Sequence, residues 1–559
     1  MAIHQLLFMQ GNGFLQFYTH NEASQRLHDT GIFSRIDGIS PSLLSSCLVL
    51  LFIASIFVVI RKRRARPLAL PPGPKPWPLF GSLPELLTNK STFRWIHKMM
   101  NEMNTEIMCI RLGNVHVIPV TSPEIAVQFL KEQDSIFSSR PNVLSAQLTS
   151  KGYCGTILSP FGEQWKKMRR VLASEVLSAP RHRWLQAKRA EEADHLVRFV
   201  YNQTMDFTTM GVVNVRFIAQ HYCGNVIRKM IFGKRFFGNG RADEGPGVEE
   251  EEHVSALFAI LTYLYNFCVS DYVPCFRGRV DLDGQEKAIR TAIASVAKYQ
   301  DPEVDERIRR WTKGTRTKQE DLLDVLICLK EKDGGPLLSP EEIKAQINEL
   351  MIATVDNPSN AVEWALAEMI NQPKVLERAM EELDKVVGTQ RLVQESDLSQ
   401  LNYLKSCVKE AFRLHPVAPF NAPHVPTTDA IVAGYFIPKG SHILLSRPGL
   451  GCNPRVWDEP LQFKPERHLK EDGSNVVLTD PDLKMLSFSI GRRGCPAVDL
   501  GSTLTTMLMA RLLQGFSWKL PPTMSKIELN ESTVGLLLLA EPLYAKAQPR
   551  MAKTVYHQL

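Results

Sequence analysis

The sequence lacks the features that define several classes of protein. Its ten cysteines include no Cys-x-x-Cys pair, which argues against zinc modules and a disulfide framework and indicates a reducing compartment for the main body. No segment recurs at a period of about 20 to 50 residues, which excludes a repeat architecture. The net charge of +7 is spread over 559 residues and does not form the concentrated basic surface of a nucleic-acid-binding protein. A membrane surface or an acidic protein partner fits this mild excess better.

One uncharged and mostly apolar run, residues 41–60, lies near the N-terminus. A helix needs about 20 residues to cross a bilayer core, and the basic residues 61–66 that follow predict a cytoplasmic C-terminal side. The sequence therefore predicts a lumenal segment 1–40, a transmembrane anchor 41–60, a basic and proline-rich hinge 61–78 and a cytosolic domain 79–559. A cleaved signal peptide is the alternative, but its apolar run would be shorter, would start earlier and would follow its basic residues.

Helical patterns dominate the main body and predict a single, mainly α domain with a smaller β region. Residues 105–120 alternate between apolar and polar types around Gly113, which indicates a β-hairpin. The segment 339–342, Ser-Pro-Glu-Glu, is a strong helix start, and the helical pattern continues to Asn371. Such a helix is on the order of 45 Å long, so we expect it to be a central and mostly buried element.

Cys495 follows a turn rich in glycine and arginine, residues 491–494, and precedes an apolar run, residues 500–516, that predicts a helix. The dipole of that helix and the neighbouring Arg492 and Arg493 favour a thiolate, which is a nucleophile or a metal ligand. A buried and unreactive cysteine is the alternative, because free cysteines are among the most buried residues.

The spacing of Phe488, Gly491, Arg493 and Cys495 resembles the haem loop of the cytochrome P-450 family of haem-thiolate monooxygenases. The resemblance implies that Cys495 binds haem iron and donates electron density to it. It also implies that Gly491 permits a tight bulge, that Phe488 shields the sulfur and that Arg493 neutralises a haem propionate.

Glu410 and Arg413 lie three residues apart on a predicted helix. The spacing alone carries no weight, since Glu306 and Arg309 share it. In the family, however, a Glu-x-x-Arg pair is followed by a third residue that joins the pair and then by the haem loop. This sequence has its matching segments in the same order. The resemblance therefore implies that Arg467 completes a buried Glu–Arg–Arg cluster beneath the haem.

Trp165 and Arg169 lie four residues apart on one face of a predicted helix. The matching pair of the family donates hydrogen bonds to a haem propionate, and the resemblance directs His424 toward a propionate as well. An arginine stacked on a surface tryptophan is the alternative for the pair.

The middle of the long predicted helix, residues 356–365, reads Asp-Asn-Pro-Ser-Asn-Ala-Val-Glu-Trp-Ala. Most oxygen-activating members of the family have an acid followed by threonine here, whereas this chain keeps the acid, Asp356, and replaces the alcohol by Asn357. Pro358 predicts a kink, which by itself is an ordinary feature of a long helix. The segment resembles the plant amino-acid N-monooxygenases that form aldoximes, as does the loop 415–425. The resemblance implies that Asp356 and Asn357 are the catalytic residues.

The resemblance covers about residues 70–545 and implies haem b on Cys495, electrons from NADPH through a flavoprotein reductase, and a single-pass location in the endoplasmic reticulum membrane. The expected activity is double N-hydroxylation of an L-amino acid, with loss of water and carbon dioxide to give an aldoxime for cyanogenic glucosides or related defence compounds. Phenylalanine is the expected substrate, with tyrosine, valine and isoleucine as alternatives. A buried zwitterion needs polar partners, and the candidates are Arg140, Asn142, Asn357 and Asn421. The substrate side chain is expected to contact Phe420 and residues 534–538.

Several positions depart from the family pattern. They are Ile490 before the conserved glycine, Pro448 and Cys452 in a usually different segment, and Asp499 one turn beyond the thiolate. An acid at a helix start can be harmless, or it can weaken the docking of an acidic reductase and lower activity. Two rival functions stay open: a haem monooxygenase that hydroxylates carbon in a terpenoid or phenolic compound, and a membrane-anchored haem protein with little turnover.

Overall fold

The computed structural model describes residues 68–89, 91–206, 208–522, 524–533 and 535–558. The predicted lumenal segment, transmembrane anchor and basic cluster lie outside these residues. A compact unit begins at Leu70, and the proline-rich part of the predicted hinge belongs to it. The backbone N–H of Cys109 donates a hydrogen bond of 2.8 Å to the carbonyl of Pro72, which fixes this extended segment against the β region.

About half of the chain is helical, as the sequence predicts. The α-helices are α1 (Leu83–Thr88), α2 (Thr92–Glu102), α3 (Pro123–Val127), α4 (Leu144–Thr149), α5 (Glu163–Val171), α6 (Ala179–Trp184), α7 (Gln186–Met205), α8 (Val215–Phe232), α9 (Val248–Tyr265), α10 (Val269–Tyr272), α11 (Gln285–Thr312), α12 (Leu322–Cys328), α13 (Pro340–Asn371), α14 (Pro373–Val386), α15 (Asn402–Leu414), α16 (Arg447–Gly451), α17 (Val498–Gly515) and α18 (Lys553–His557). Short π-helical segments, Gln128–Glu132 and Leu172–Val176, continue α3 and α5.

The strands form three small sheets. They are β1 (Ile110–Leu112), β2 (Val115–Val120), β3 (Val212–Asn214), β4 (Ala430–Val432), β5 (Tyr435–Ile437), β6 (His442–Leu445), β7 (Phe516–Lys519) and β8 (Tyr544–Pro549). The sheet orders are β1-β2-β6, β3-β8-β7 and β4-β5. The predicted hairpin is confirmed, because β1 and β2 pair antiparallel and Gly113 between them has a φ of 54°.

The predicted long helix is α13, which packs against α8, α11, α15 and α17. Ser339 Oγ accepts a hydrogen bond from the N–H of Glu342, and the Glu342 carboxylate accepts one from the N–H of Ser339 at 2.8 Å, so the predicted capping box is present. The helix continues through Pro358, and most of its residues are buried. Helix α13 is therefore the central element of the domain, as expected from its length.

In the part of the chain that the structure describes, one helical stretch, Val248–Tyr272, is long and apolar enough to cross a membrane. Half of its most apolar window is buried inside the domain, and residues of α9 such as Leu257 and Ile260 belong to the main hydrophobic core. The apolar composition of this stretch is typical both of a helix in a protein core and of a membrane span.

Candidate active site

A cavity of about 250 Å³ is lined by α13 on one side and by the loop that holds Cys495 on another. We call it the haem cavity. It collects side chains that are far apart in the sequence. The sequence-predicted residues that line it are Arg140, Trp165, Arg169, Asn357, Asn421, His424, Phe488, Arg493 and Cys495.

The loop before α17 holds Cys495 through backbone contacts. The N–H of Cys495 donates to the carbonyl of Phe488 at 2.8 Å, and Gly491 between them has a φ of 75°. A side chain at Gly491 would bring its Cβ to 2.5 Å from the carbonyl oxygen of Leu130. Only glycine therefore fits this bulge. The Phe488 ring lies edge-on to Phe412 with a centroid distance of 5.9 Å.

The surroundings of the Cys495 thiol differ from the prediction. Burial raises its pKa, while the N–H of Ala497, Arg169 and Arg447 act in the opposite direction. Arg492 points elsewhere and pairs with Asp134 at 2.6 Å, whereas Arg493 lines the haem cavity together with Cys495. A bound metal ion would add the positive charge that favours the thiolate.

The arginines that line the haem cavity have no carboxylate partners in the part of the chain that the structure describes. Arg493 donates to the carbonyls of Ser138 and Ser159, and its guanidinium lies 4.4 Å from the centroid of the Trp165 ring. Burial, followed by the charges of Arg140 and Arg169, lowers the pKa of Arg493 to about 8. Among the described residues, none of these three arginines forms an ion pair. A ligand that carries carboxylates would relieve this repulsion, and haem has two of them.

Two further polar groups line the same side. Arg169 donates to the carbonyl of Gly494 at 2.9 Å, next to Cys495. His424 is fully buried, and its Nδ1 donates to the carbonyl of Phe137 at 2.9 Å. Burial, with a contribution from Arg140, lowers the pKa of His424 well below its usual value. The donor set, one thiol and several uncompensated cations, fits haem b.

A second group of buried charges lies away from the cavity, and we call Glu410, Arg413, Arg467 and His468 the scaffold cluster. Arg413 donates to Glu410 at 2.7 Å, and both side chains are fully buried. Arg467 Nε and His468 Nε2 contact the same carboxylate at 2.9 and 2.7 Å. Arg413 also donates to the carbonyls of Gly451 and Pro460. The structure thus brings the predicted three residues together and adds His468.

The predicted catalytic residues of α13 face different surroundings. Asp356 is fully buried and is absent from the lining of the haem cavity, and neither of its carboxylate oxygens has a hydrogen-bond partner among the described residues. Burial raises its pKa to about 7, and Arg447 lowers it in part. Asn357 lines the haem cavity and the two cavities beside it. Pro358 cannot donate to the carbonyl of Thr354, and this threonine also lines the haem cavity.

The predicted substrate residues separate in the structure. Arg140 is buried and donates through Nη1 to the carbonyls of Ala422 and Pro423 at 2.7 and 2.9 Å, while its Nε finds no partner within the described ranges. Asn421 lines the haem cavity, and its side-chain oxygen accepts from the N–H of Leu445. Asn142, in contrast, is exposed and lines none of the cavities described here. Phe420 lies in a separate apolar cluster and packs against His97 at 5.8 Å between ring centroids.

The predicted side-chain contacts at 534–538 also fall elsewhere. Val534 lies outside the described residues. Leu537 is buried, its N–H donates to the carbonyl of Val417, and its carbonyl accepts from the indole of Trp364. The apolar cavity beside the haem cavity, about 130 Å³, is instead lined by residues such as Leu158, Leu261 and Leu264.

Other contributors escaped the sequence analysis because only long-range contacts reveal them. Arg447 and Tyr265 line the haem cavity. The buried Glu349 accepts hydrogen bonds from the backbone N–H groups of Thr156 and Ile157 at 2.6 and 2.8 Å, which fixes the loop before α5. No motif marks these residues in the sequence.

The residues that depart from the family pattern lie in surroundings that suit their side chains. Ile490 packs against an apolar cluster, and Pro448 occupies the first turn of α16. Asp499 is exposed in the first turn of α17, where a negative charge is favourable. None of these residues blocks the haem cavity.

The mainly helical fold and the cation-lined cavity beside a single cysteine define a haem-thiolate protein. The family model of cytochrome P450 matches residues 71–547, so the chain belongs to the cytochrome P450 family. Relatives support a closer placement: the chain is 58% identical to a phenylalanine N-monooxygenase of Prunus mume, over 87% of this chain and 92% of that protein. It is 55% identical to a tryptophan N-monooxygenase of Prunus mume, over 92% and 97%, and 55% identical to a tyrosine N-monooxygenase of Sorghum bicolor, over 87% of each.

The chain is accordingly a haem-thiolate monooxygenase of the plant amino-acid N-monooxygenase type. It uses dioxygen and electrons that a reductase delivers from NADPH. The relatives differ in the amino acid that they are named for, so family membership leaves the substrate of this chain open.

Proposed function

We propose that this enzyme hydroxylates the nitrogen of an L-amino acid twice and releases the aldoxime, with L-phenylalanine as the preferred substrate. The N,N-dihydroxy product loses one water and one carbon dioxide to give the aldoxime. The observation that carries the proposal is the wall of the haem cavity, where Asn357 stands in place of the usual alcohol and arginines without carboxylate partners among the described residues also line the cavity. Haem, when bound through Cys495, supplies the oxidising chemistry.

The residues around the haem have separable roles. Cys495 would bind the iron, while Arg493, Arg169, Trp165 and His424 would hold the propionates. The scaffold cluster would fix the haem loop from below. Gly491 and Phe488 would shape the loop and shield the sulfur from water.

The substrate's carboxylate needs a cation in this apolar setting. Arg140 lines both the haem cavity and the apolar cavity beside it, and its Nε has no partner among the described residues. Burial lowers the pKa of Arg140 to about 10, so an anion beside it would be strongly stabilised. Asn421 and Asn357 would orient the amine nitrogen toward the iron.

Asp356 would hold a proton beside Asn357, just outside the lining of the haem cavity. A carboxyl with a pKa of about 7 changes its protonation near neutrality and suits proton exchange. Its neighbour Asn357 has no acidic proton and would position substrate and water instead.

The apolar cavity of about 130 Å³ would receive the substrate side chain. Its lining is mostly aliphatic, with Thr149, Tyr265 and Glu349 among the polar exceptions, and suits a benzyl or branched aliphatic group. This supports phenylalanine, with tyrosine, valine and isoleucine as alternatives.

The proposal includes a cellular setting. Residues 41–60 would anchor the protein in the endoplasmic reticulum membrane, with residues 1–40 in the lumen, a hinge at 61–78 and the catalytic domain 79–559 in the cytosol. The aldoxime would serve cyanogenic glucoside or related defence metabolism.

Microsomes that contain the protein and its reductase test the proposal. Each protein amino acid is supplied with NADPH, aldoximes are measured, and a carbon monoxide difference spectrum verifies the haem protein. We expect the highest kcat/KM for L-phenylalanine. An intact spectrum without an aldoxime from any amino acid would contradict the activity, and a higher kcat/KM for another amino acid would contradict the substrate.

The role of Arg140 has a separate test based on matched ligands. Arg140→Leu should weaken the spectral binding of L-phenylalanine and leave that of phenethylamine, which lacks the carboxylate, nearly unchanged. Equal weakening for both ligands would assign Arg140 to structure, since it also holds the carbonyls of Ala422 and Pro423.

A further inference from the structure

A small cavity, which we call the side cavity, adjoins the haem cavity on the flank of α13. Asn360 and His415 line it, and Asn357 and Arg447 line both it and the haem cavity. The centre of a water molecule has about 10 Å³ in which to move there, about the least space that holds one buried water.

Three polar atoms of the side cavity residues have no hydrogen-bond partner among the described residues. They are Asn360 Oδ1, His415 Nδ1 and Arg447 Nε. Asn360 and His415 are only 3% and 8% exposed, so bulk water does not satisfy them. Buried polar atoms are normally paired, and ordered water is the usual partner where no protein group reaches them.

The His415 ring is held in a defined orientation. Its Nε2 lies 2.8 Å from Glu368 Oε1, and the ring stacks on Trp364 with centroids 3.9 Å apart and an interplanar angle of 3°. A carboxylate only accepts hydrogen bonds, so Nε2 carries a proton. Nδ1 is thereby left for the side cavity.

Glu368, the partner of His415, also contacts a residue near the surface. Glu368 Oε2 accepts a hydrogen bond of 3.3 Å from Gln372 Nε2, and Gln372 is partly exposed at the end of α13. The Glu368 carboxylate therefore lies between the His415 ring and a partly exposed side chain.

One water molecule complements the three unpaired atoms. It would accept from the Nε–H of Arg447 and donate to Asn360 Oδ1. It would then have one hydrogen and one lone pair left for His415, so that it could donate to Nδ1 of the neutral ring or accept from the Nδ1–H of the imidazolium.

We propose that the side cavity binds one water that carries protons between His415 and the haem cavity. In each transfer the N–H bond at His415 Nδ1 breaks as an O–H bond forms on the water, and another O–H bond of that water breaks toward the haem cavity. Between turnovers the reverse bond changes return a proton to Nδ1 through the same water. The carboxylate of Glu368 balances the imidazolium charge, and Arg447 is the other charged residue among the described ones that line the side cavity. His415 thereby stores one proton for the haem cavity in a chain that has asparagine at position 357 in place of the alcohol.

The water site is tested on the full-length, haem-loaded protein by crystallography. We expect density within hydrogen-bond distance, about 2.7 to 3.2 Å, of Asn360 Oδ1, His415 Nδ1 and Arg447 Nε. Asn360→Leu, similar in size but without an acceptor, should lose this density, and the matched Asn360→Asp should keep it. A wild-type structure without the density would overturn the proposal.

The proton transfer is tested by coupling, the aldoxime formed per NADPH consumed, a readout that rests on the proposed function. Asn360→Leu and Glu368→Gln should lower coupling on the order of tenfold and raise hydrogen peroxide release and the solvent deuterium isotope effect. Asn360→Asp should stay close to the wild type. The carbon monoxide spectrum and the spectral Kd for substrate should be unchanged in all three variants.

Unchanged coupling in Asn360→Leu would overturn the relay, as would a loss explained entirely by weaker substrate binding. A wild-type enzyme that forms no aldoxime would contradict the proposed function and leave the crystallographic test of the water site in force. The two failures are therefore distinguishable.

Discussion

The scaffold cluster and the cavity arginines are both buried groups of charges, but one is closed and the other is open. In the scaffold cluster, Glu410 receives hydrogen bonds from Arg413, Arg467, His468 and the backbone of Lys464. Around the haem cavity, Arg140, Arg169 and Arg493 donate only to backbone carbonyls among the described residues.

The pKa values express the same difference. Burial raises the pKa of Glu410, but the hydrogen bonds of Arg413 and His468 outweigh it and bring the pKa to about 2. Asp356 has no such partners, and burial raises its pKa to about 7. Complete pairing indicates a structural role, whereas incomplete pairing indicates a site that a ligand completes.

Cys495→Ser removes the proposed iron ligand from the haem cavity. We expect complete loss of turnover, because serine is a poor ligand for iron and donates less electron density. The carbon monoxide difference spectrum should lose its thiolate band. Cys275→Ser, at an exposed cysteine, is the matched control and should leave spectrum and turnover unchanged. A thiolate band that persists in Cys495→Ser would contradict the assignment of Cys495 as the iron ligand.

Glu410→Gln breaks the closed group and leaves buried cations unpaired. We expect the free energy of unfolding to fall by roughly 3–5 kcal/mol, with low haem incorporation, as measured by denaturant unfolding and haem absorbance. Glu306→Gln alters a pair with the same spacing whose side chains are 57% and 64% exposed. This control should cost less than about 1 kcal/mol, and equal losses in the two variants would contradict the closed cluster.

The contributions of Asp356 and Glu410 to the stability of the fold should change with pH in opposite directions. The folded-state pKa of Asp356, about 7, is raised, so its contribution to stability is complete below about pH 4 and is lost as the pH rises through 7. Asp356→Asn should remove this decline and exceed the wild type at pH 8 by at most about 4 kcal/mol.

The contribution of Glu410, whose pKa is lowered, is present above about pH 4 and is lost as the pH falls through about 2. Unfolding of the wild type, Asp356→Asn and Glu410→Gln across this pH range measures both effects. A parallel pH dependence for wild type and Asp356→Asn would refute the unpaired state of Asp356.

Arg169→Ala removes one cation of the open group. We expect the free energy of haem binding to weaken by roughly 1.5–3 kcal/mol, the value of a hydrogen bond to a charged group. Haem should therefore transfer faster to apomyoglobin. Arg170→Ala, at the exposed neighbour, should transfer haem at the wild-type rate. If both variants release haem equally, Arg169 does not hold a propionate.

Some parts of this site follow from local patterns. The capping box at Ser339, the bulge at Gly491 and the helix after Cys495 depend on residues within a few positions of each other, so the sequence predicts them. Phe420 and Asn421 show where such reasoning ends. Phe420 bridges to Ser446 in extended backbone, where successive side chains point to opposite faces. Asn421 consequently faces the haem cavity and Phe420 packs against His97.

The sequence by itself determined the class of protein, because the cysteine loop, the Glu-x-x-Arg pair and the segment 356–365 are local and specific. Only the tertiary structure decided the other contacts between charged groups. His468 joins the scaffold cluster, Arg447 lines the haem cavity, and His415 meets Glu368 across 47 positions. Pairing in a buried site depends on distances between distant segments, which burial makes energetically decisive and which no spacing along the chain encodes.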